Sequence, residues 1–243
     1  MEITGKVVLI TGASGGIGLA TARLLAQKGA KLALAARSAE KLERAVSELP
    51  DAFAIPTDMR HEDEVHRMID QTRQHFGRID VLINNAGQGL HVSVEKVDLE
   101  QYRSVFELNV VSVVAAMQDV IPIMREQGGG VIINISSGTS KIAPERLKQA
   151  TVGPYASTKY ALNGITLIAR EELASDNIHV GLVHPGMTAT DFSANLANGP
   201  RDTFRRPGVM PVDSAEYVAE KILEAIQTEA AEVYAESVKK ALS

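Results

Sequence analysis

The chain has no cysteine. This removes disulfides, thiolate metal sites and cysteine nucleophiles together, so any site chemistry must come from other side chains. Nor does it have a surplus of positive charge: its 243 residues carry 25 Lys and Arg against 30 Asp and Glu, a formal net charge of −5. A broad nucleic-acid footprint needs a basic face, so no nucleic-acid partner is expected. No uninterrupted apolar run approaches the roughly 18 residues of a membrane span, and no membrane association is expected. The opening MEITGKVVLITG has no basic region ahead of an apolar stretch, so the chain reads as cytoplasmic rather than secreted. Linkers, low-complexity tracts and internal repeats are also lacking. The nearest approach to a metal motif is HEDEVH (61–66), and it fails on geometry. Histidines five apart point about 140° away from each other around a helix, so no metal is expected there.

What remains is a globular composition, with 45% hydrophobic and 23% charged residues, values that exclude general disorder. The apolar residues fall into short continuous runs separated by helical patterns. KVVLIT (6–11), KLALAA (31–36), DAFAIPT (51–57), IDVLINN (79–85), VIINIS (131–136) and IHVGLVH (178–184) read as strands, and EVYA (232–235) as a final short edge strand. Helices are predicted near 16–28, 39–49, 61–76, 99–127, around Tyr155 to about 175, and last near 213–228. Continuous rather than alternating apolar strands belong to a parallel sheet covered on both faces. Repeated β-helix-β units with short joints give a right-handed, doubly wound α/β sheet of Rossmann type. One domain over 1–243 is expected.

Two tyrosine–lysine pairs share a four-residue spacing that places both side chains on one helix face. They are Tyr155 and Lys159 in GPYASTKYAL, and Tyr217 and Lys221 in DSAEYVAEKILEAI. A phenol with a reference pKa of about 10 exchanges protons poorly at neutral pH. An ammonium about 4 Å away, at an effective dielectric of about 20, favours the phenolate by roughly 4 kcal/mol. Lys159 is therefore expected to lower the Tyr155 pKa into the range of a general acid or base. The second pair fits a solvated helix face, with Val218, Ile222, Leu223 and Ile226 as its apolar side. Only the first follows a strand ending in paired serines, VIINISS (131–137).

Between the first strand and first helix lies TGASGGIG (11–18). Gly12, Gly16 and Gly18 allow a sharp turn and close approach to a pyrophosphate, which the helix N-terminus would meet with free N–H groups. The spacing departs from the commoner Gly-x-Gly-x-x-Gly, and glycines at such a turn serve structure equally well. All the motifs fall at carboxyl ends of strands, where ligands bind in such sheets.

TGASGGIG, NNAG (84–87), NISS (134–137), YASTK (155–159) and HPG (184–186) occur in the order typical of one family. Over essentially its full length the chain resembles a short-chain dehydrogenase/reductase. The resemblance implies a nicotinamide-dependent oxidoreductase acting on a hydroxyl/carbonyl pair. It implies Tyr155 as general acid in reduction and base in the reverse direction, with Lys159 lowering its pKa and holding the nicotinamide ribose. Ser137 would hydrogen-bond the substrate carbonyl, and Asn109, in FELNVVSV, would hold a water in the proton relay. From the residues alone Asn109 reads as a polar side chain satisfying its own helix. Cofactor contacts are implied for Gly12, Ser14, Gly16, Ile17 and Gly18, for Asp58 and Met59, and for Asn85, Ala86 and Gly87. Tyr155 and Lys159 join them, as do Pro185, Gly186 and Thr188, which would flank the nicotinamide. Asp58 reads equally as a helix cap three residues before His61.

The end of the second strand bears on which nicotinamide is used. An acid there accepts hydrogen bonds from the NAD ribose and repels a 2′-phosphate. This chain has Ala36, then Arg37 and Ser38, and Arg37 can form a charge-assisted fork with a phosphate. NADP(H) is expected over NAD(H). The alternative for Arg37 is a surface arginine opening a helix, and Gly15 stands where some NADP-using relatives carry a second basic residue.

Residues 138–154 form a longer spacer than is usual in the family, which leaves Ser136 and Ser140 as alternatives to Ser137. Lys141, Arg146 and Lys148 make this spacer basic; they read as solvated loop charges rather than ligands, with attraction of an acidic or phosphorylated substrate, Arg146 foremost, as the alternative. After Thr188 the chain resembles the family's substrate lid, about 187–212, with Phe192, Leu196 and Phe204 as apolar contacts. A surface connection is the alternative. The expected activity is NADPH-dependent reduction of a ketone or aldehyde by a homo-oligomer, dimeric or tetrameric, joined through the helices near 99–127 and 155–175. Two alternatives stand: a 3-oxoacyl-carrier-protein reductase, with Arg125 and Arg170 placed to meet an acidic carrier, and a non-catalytic NADP(H)-binding sensor or scaffold.

Overall fold

Seven parallel strands form one sheet in the order β3-β2-β1-β4-β5-β6-β7. They are β1 (Val7–Thr11), β2 (Lys31–Ala36), β3 (Ala52–Pro56), β4 (Val81–Asn84), β5 (Gly130–Ile135), β6 (Ile178–His184) and β7 (Glu232–Tyr234). The expected strands are all present, and β7 closes the edge beside β6 with Val233 opposite Val183. The computed structural model describes residues 1–190, 192, 196–198 and 212–242. Phe204, one of the expected lid contacts, lies outside the described residues.

The continuous apolar strands are explained by what covers each face. Val8 and Ile10 of β1 meet α1 (Gly16–Gln27), α2 (Ala39–Ser47) and α8 (Ala215–Thr228), through Leu25, Leu42 and Ile222 among others. Leu9, between them, points to the other face. There it meets α3 (Glu62–Phe76), α5 (Ser112–Glu126) and α7 (Gly153–Leu173), through Met68, Val120 and Leu162. Side chains alternate across a strand, so a sheet buried on both faces needs apolar residues at successive positions. Local signals set the helix ends. Ser38 Oγ accepts from the Lys41 N–H at the start of α2, and Ser214 Oγ does the same for Tyr217 in α8. Gly77, at φ +78°, closes α3.

Three features depart from expectation. The helix predicted over 99–127 is α4 (Leu99–Phe106) and α5 joined by one π-helical turn, Glu107–Val111. Its 28 residues include a window of mean hydropathy 1.5, long and apolar enough by length and composition to cross a membrane. Charges scattered along it hide this from a search for uninterrupted runs. Its apolar side chains, Ala116, Val120 and Met124 among them, are buried against the sheet.

The segment expected near 213–228 is not the last helix. A further helix, α9 (Glu236–Leu242), follows β7, and seven residues are too few to give a periodic signal. Residues 138–154, finally, are not a loop of solvated charges. They hold a short helix, α6 (Pro144–Leu147), and are pinned down by their own cations. Lys141 pairs with Glu232 at 2.6 Å, and the Arg146 guanidinium donates to the carbonyl of Ala241. Lys141 and Arg146 thus anchor the spacer to the C-terminal strand and helix, while Lys148 is exposed.

Candidate active site

The cradle at 11–18 is built by close backbone approach. Gly12 sits at φ +67°, and a Cβ there would lie 2.9 Å from the Cα of Ala86. A Cβ on Gly18 would lie 2.5 Å from the Gly12 carbonyl oxygen. Gly15 begins α1 with no side-chain cap, and the first turn carries no acidic residue. Its N–H groups therefore lack a side-chain acceptor, a donor set suited to an anion. Ser14, Gly16 and Ile17 are half-buried around this turn, and Thr190 reaches over it, 3.2 Å from where a Gly16 Cβ would stand. The residues present fit the pyrophosphate of a dinucleotide.

The 84–87 turn is stapled to the cradle. Thr11 Oγ1 accepts from the backbone N–H groups of Asn85 and Ala86, each at 3.0 Å. The Asn85 amide donates to the carbonyls of Thr11 and Gly12 at 2.9 and 3.3 Å, so its side chain braces the loop. Asn84 is turned inward and donates to Asn134 on the next strand. At the rim, Arg37 is exposed and Ser38 is occupied as the α2 cap. The Asp58 carboxylate accepts from the Arg60 backbone N–H at 3.1 Å and pairs with its guanidinium at 3.4 Å. It does not cap α3, whose N-cap is His61, so the alternative cap reading of Asp58 fails. Met59 is buried in the core on the α3 side of the sheet.

Tyr155 and Lys159 occupy the first turns of α7, 7% and 5% exposed. Across from them β5 ends at the serines. Ser136 points inward and donates to Asn163 at 2.6 Å, and Ser140 donates to the Ser137 carbonyl while accepting from the Asn163 amide. Of the three, Ser137 is the one whose side chain acts on the Tyr155 phenol, lowering its pKa. The long spacer has not displaced it, because the extra residues fold outward onto β7 and α9. Pro185 follows β6 next to this loop, its carbonyl accepting from the Gly138 N–H at 2.8 Å, and Thr188 Oγ1 turns back to the Gly186 carbonyl.

Asn109 comes from the π turn. It is fully buried, accepts from the Gln88 N–H at 2.9 Å, and donates to the Gln88 carbonyl and Thr158 Oγ1, each at 3.0 Å. It therefore does not satisfy its own helix. The π turn, a device often found at functional sites, aims it across at α7. A Cβ on Gly87 would stand 3.3 Å from Asn109 Oδ1 and 3.7 Å from Lys159 Nζ, so all three segments converge.

The electrostatics run against expectation. Burial pushes the Tyr155 phenol up to about 12, partly offset by the Ser137 hydrogen bond, and burial pulls Lys159 down to about 8. Lys159 is not among the groups that lower the phenol: its ammonium donates 2.8 Å to the Ile135 carbonyl, and both groups lose hydration. The Tyr155 phenol is thus neutral at physiological pH.

Sequence reading missed His91, whose ring lies edge-on to Tyr155 with centroids 6.4 Å apart, and whose pKa is lowered by burial. Phe192 covers another side of Tyr155 at 5.9 Å. Leu196 and Phe192 both reach Gly89. His91 and Gln88 lie just beyond NNAG, and that proximity was their only signal. The second tyrosine–lysine pair has other duties. Lys221 sits 5.6 Å over the Tyr217 ring and binds Glu224, while the Tyr217 hydroxyl accepts from the Glu236 N–H to join α8 to α9.

The family model for short chain dehydrogenases matches residues 6–201. The chain belongs to the short-chain dehydrogenase/reductase family. Among relatives of this oxidoreductase, an uncharacterized oxidoreductase of Staphylococcus aureus (strain USA300) is 36% identical over 218 residues, 89% of this chain and 90% of that one. A 3alpha-hydroxysteroid dehydrogenase of Mediterraneibacter gnavus is 36% identical over 203 residues, covering 81% and 79%. A short chain dehydrogenase from Burkholderia cenocepacia, solved in complex with NADP, superposes with a TM-score of 0.85 at 29% identity over 98% of both chains. A 3-ketoacyl-(acyl-carrier-protein) reductase from Brucella melitensis, complexed with NADH, gives 0.84 at 26% identity over 96% of this chain and 97% of that one.

Proposed function

We propose that this short-chain dehydrogenase/reductase is a cytoplasmic, NADPH-dependent reductase of ketones or aldehydes. The observation that carries this reading is the buried, neutral Tyr155 phenol, acted on by Ser137, one helical turn from Lys159 and beside the anion cradle. A carbonyl oxygen placed between the two hydroxyls would receive a hydrogen bond from Ser137 and, as negative charge develops, the proton of Tyr155. Lys159 supplies positive charge behind the phenol, and Asn109 fixes the 87–88 turn and Thr158 around it. When bound, the nicotinamide supplies the hydride in reduction and takes it up in oxidation.

Gly12, Ser14, Gly16, Ile17 and Gly18 would hold the pyrophosphate. Asp58, Met59, Asn85, Ala86 and Gly87 would line the adenosine side, and Pro185, Gly186 and Thr188 the nicotinamide side. Arg37, exposed at the end of β2, would pair with the 2′-phosphate, with Ser38 beside it. Turnover of a ketone and alcohol panel with NADPH and NADH, followed by cofactor absorbance, tests the reading. No turnover with any carbonyl would sink it.

Reduction of a 3-oxoacyl thioester on a carrier protein is the second reading, favoured by the likeness to the Brucella enzyme. The arginines proposed to meet the carrier support it poorly. Arg170 donates to the carbonyls of Val180 and Glu229, and Arg125 is paired with Asp176. The enzyme would assemble through α5 and α7, where Ile165 and Ile168 are 36% and 62% exposed.

A further inference from the structure

The C-terminal helix α9 packs against the turn at 185–188. A Cβ on Gly186 would collide with Ser237 Oγ and lie 3.0 Å from Asp213 Oδ2, so the turn rests on these two side chains. Ser237 is 3% exposed and donates to Asp213 Oδ2 at 2.6 Å. Asp213 is in turn laced to the segment leaving the turn: its N–H donates to the Met187 carbonyl at 2.7 Å, and its carbonyl accepts from the Ala189 N–H at 2.9 Å. The next residue along α9, Val238, meets Gly138, where a Cβ would lie 2.8 Å from its Cγ2. The same short helix therefore touches the residue after Ser137 and the residue after Pro185, and the spacer reaches it through Arg146.

We propose that Ser237 and Asp213 are positioning residues: through them α9 holds the 185–188 turn in register with Ser137 and Tyr155, and so orients the nicotinamide end of the dinucleotide. The inference rests on the cofactor reading above, because it takes the 185–188 turn as the nicotinamide wall. The pair's hydroxyl–carboxylate bond is charge-assisted and buried on the serine side, which makes it stiffer than a neutral contact. Apart from their place beside the turn, neither residue has a role in proton transfer. Their effect is confined to the half of the site that contacts nicotinamide, and the adenosine half, on α1, β2 and β4, is built from other elements.

The test is equilibrium binding of two ligands to the full chain, NADPH and adenosine 2′,5′-bisphosphate, which lacks the nicotinamide half. Ser237→Ala and Asp213→Ala are each expected to weaken NADPH by about tenfold, the worth of one charge-assisted hydrogen bond, while the fragment binds as before. The double variant is expected to lose no more than either single, since both remove one interaction. Asp213→Asn, which keeps an acceptor for Ser237, is expected to restore most of the NADPH affinity lost in Asp213→Ala. Equal weakening of both ligands, or no change in either, would overturn the proposal, and unchanged fragment binding serves as the check on folding. Failure of the cofactor reading itself would appear in the unsubstituted chain, as no binding of NADPH.

Discussion

Asn109 and Gln88 are bonded twice: the asparagine Oδ1 accepts from the Gln88 N–H at 2.9 Å, and its amide donates to the Gln88 carbonyl at 3.0 Å. A side chain that pairs with both backbone groups of one residue fixes that residue in position and orientation. Here it sets the turn that follows Gly87, and the remaining amide hydrogen reaches Thr158 between Tyr155 and Lys159. Asn109→Asp replaces both donations by a carboxylate facing a carbonyl in a buried site. We expect a loss of about 2 kcal/mol in the denaturant midpoint analysis and a fall in kcat of at least about tenfold. Wild-type stability in this variant would show that the pairing is incidental.

Lys159 is held in a site that disfavours its charge, with a pKa of about 8 against 10.5 for the free side chain. For a base with a lowered folded-state pKa the cost to folding is complete below about pH 8. It fades as pH rises toward 10.5, because the unfolded chain binds the extra proton in that window. At pH 7 the penalty is of the order of 3 kcal/mol, less whatever the bond to the Ile135 carbonyl returns. Lys159→Met is therefore expected to raise the Tm at pH 7 without added cofactor, with the gain shrinking by pH 10, while turnover is lost. A destabilised variant at neutral pH would contradict this account.

Tyr155→Phe removes the hydroxyl proposed to give the proton beside Ser137, so carbonyl-dependent NADPH oxidation is expected to fall by at least about a thousandfold. NADPH affinity should stay within a few-fold of the parent. Tyr217→Phe, with the same spacing to its lysine, is the control: its hydroxyl accepts from the Glu236 N–H, away from the proposed site, and full activity is expected. Activity surviving in the Tyr155 variant would refute the assignment.

Much of this was legible because the signals are local. The strands are continuous apolar runs, Ser38 and Ser214 precede helices they cap, and Gly12 and Gly18 mark a backbone approach that tolerates no Cβ. The illegible parts depend on contacts far apart in sequence. Nothing near Arg146 announces that its partner is the carbonyl of Ala241, and α9 is too short to show a period. The π turn carries the same apolar pattern as an ordinary helix, so the direction of Asn109 could be known only from its partners. The pKa order of Tyr155 and Lys159 was misread for a related reason: spacing gives proximity, whereas burial and the Ile135 carbonyl decide the balance.

Arg146 was a candidate for attracting an acidic substrate, and its contact with Ala241 argues for a different outcome. Arg146→Ala is expected to cost no more than about 1 kcal/mol of stability, the worth of one partly exposed hydrogen bond. The KM for an anionic carbonyl substrate should not change. A selective rise in that KM, with stability intact, would restore the substrate role.

Arg37 tests the choice of cofactor. It stands exposed at the end of β2, next to Ala36, whereas Arg60 is already bound to Asp58, Ser104 and Gln88. In the proposed reading, recognition of a 2′-phosphate falls on the Arg37 guanidinium. Arg37→Ala is expected to raise the KM for NADPH by about ten- to a hundredfold, equivalent to roughly 1.4–2.8 kcal/mol, with the KM for NADH unchanged. Ala36→Asp should add repulsion of the phosphate and supply an acceptor for the ribose hydroxyl, moving the preference further toward NADH. The decisive measurement is the ratio of kcat/KM for the two cofactors. A ratio that stays the same in Arg37→Ala would mean that the phosphate is read elsewhere or not at all.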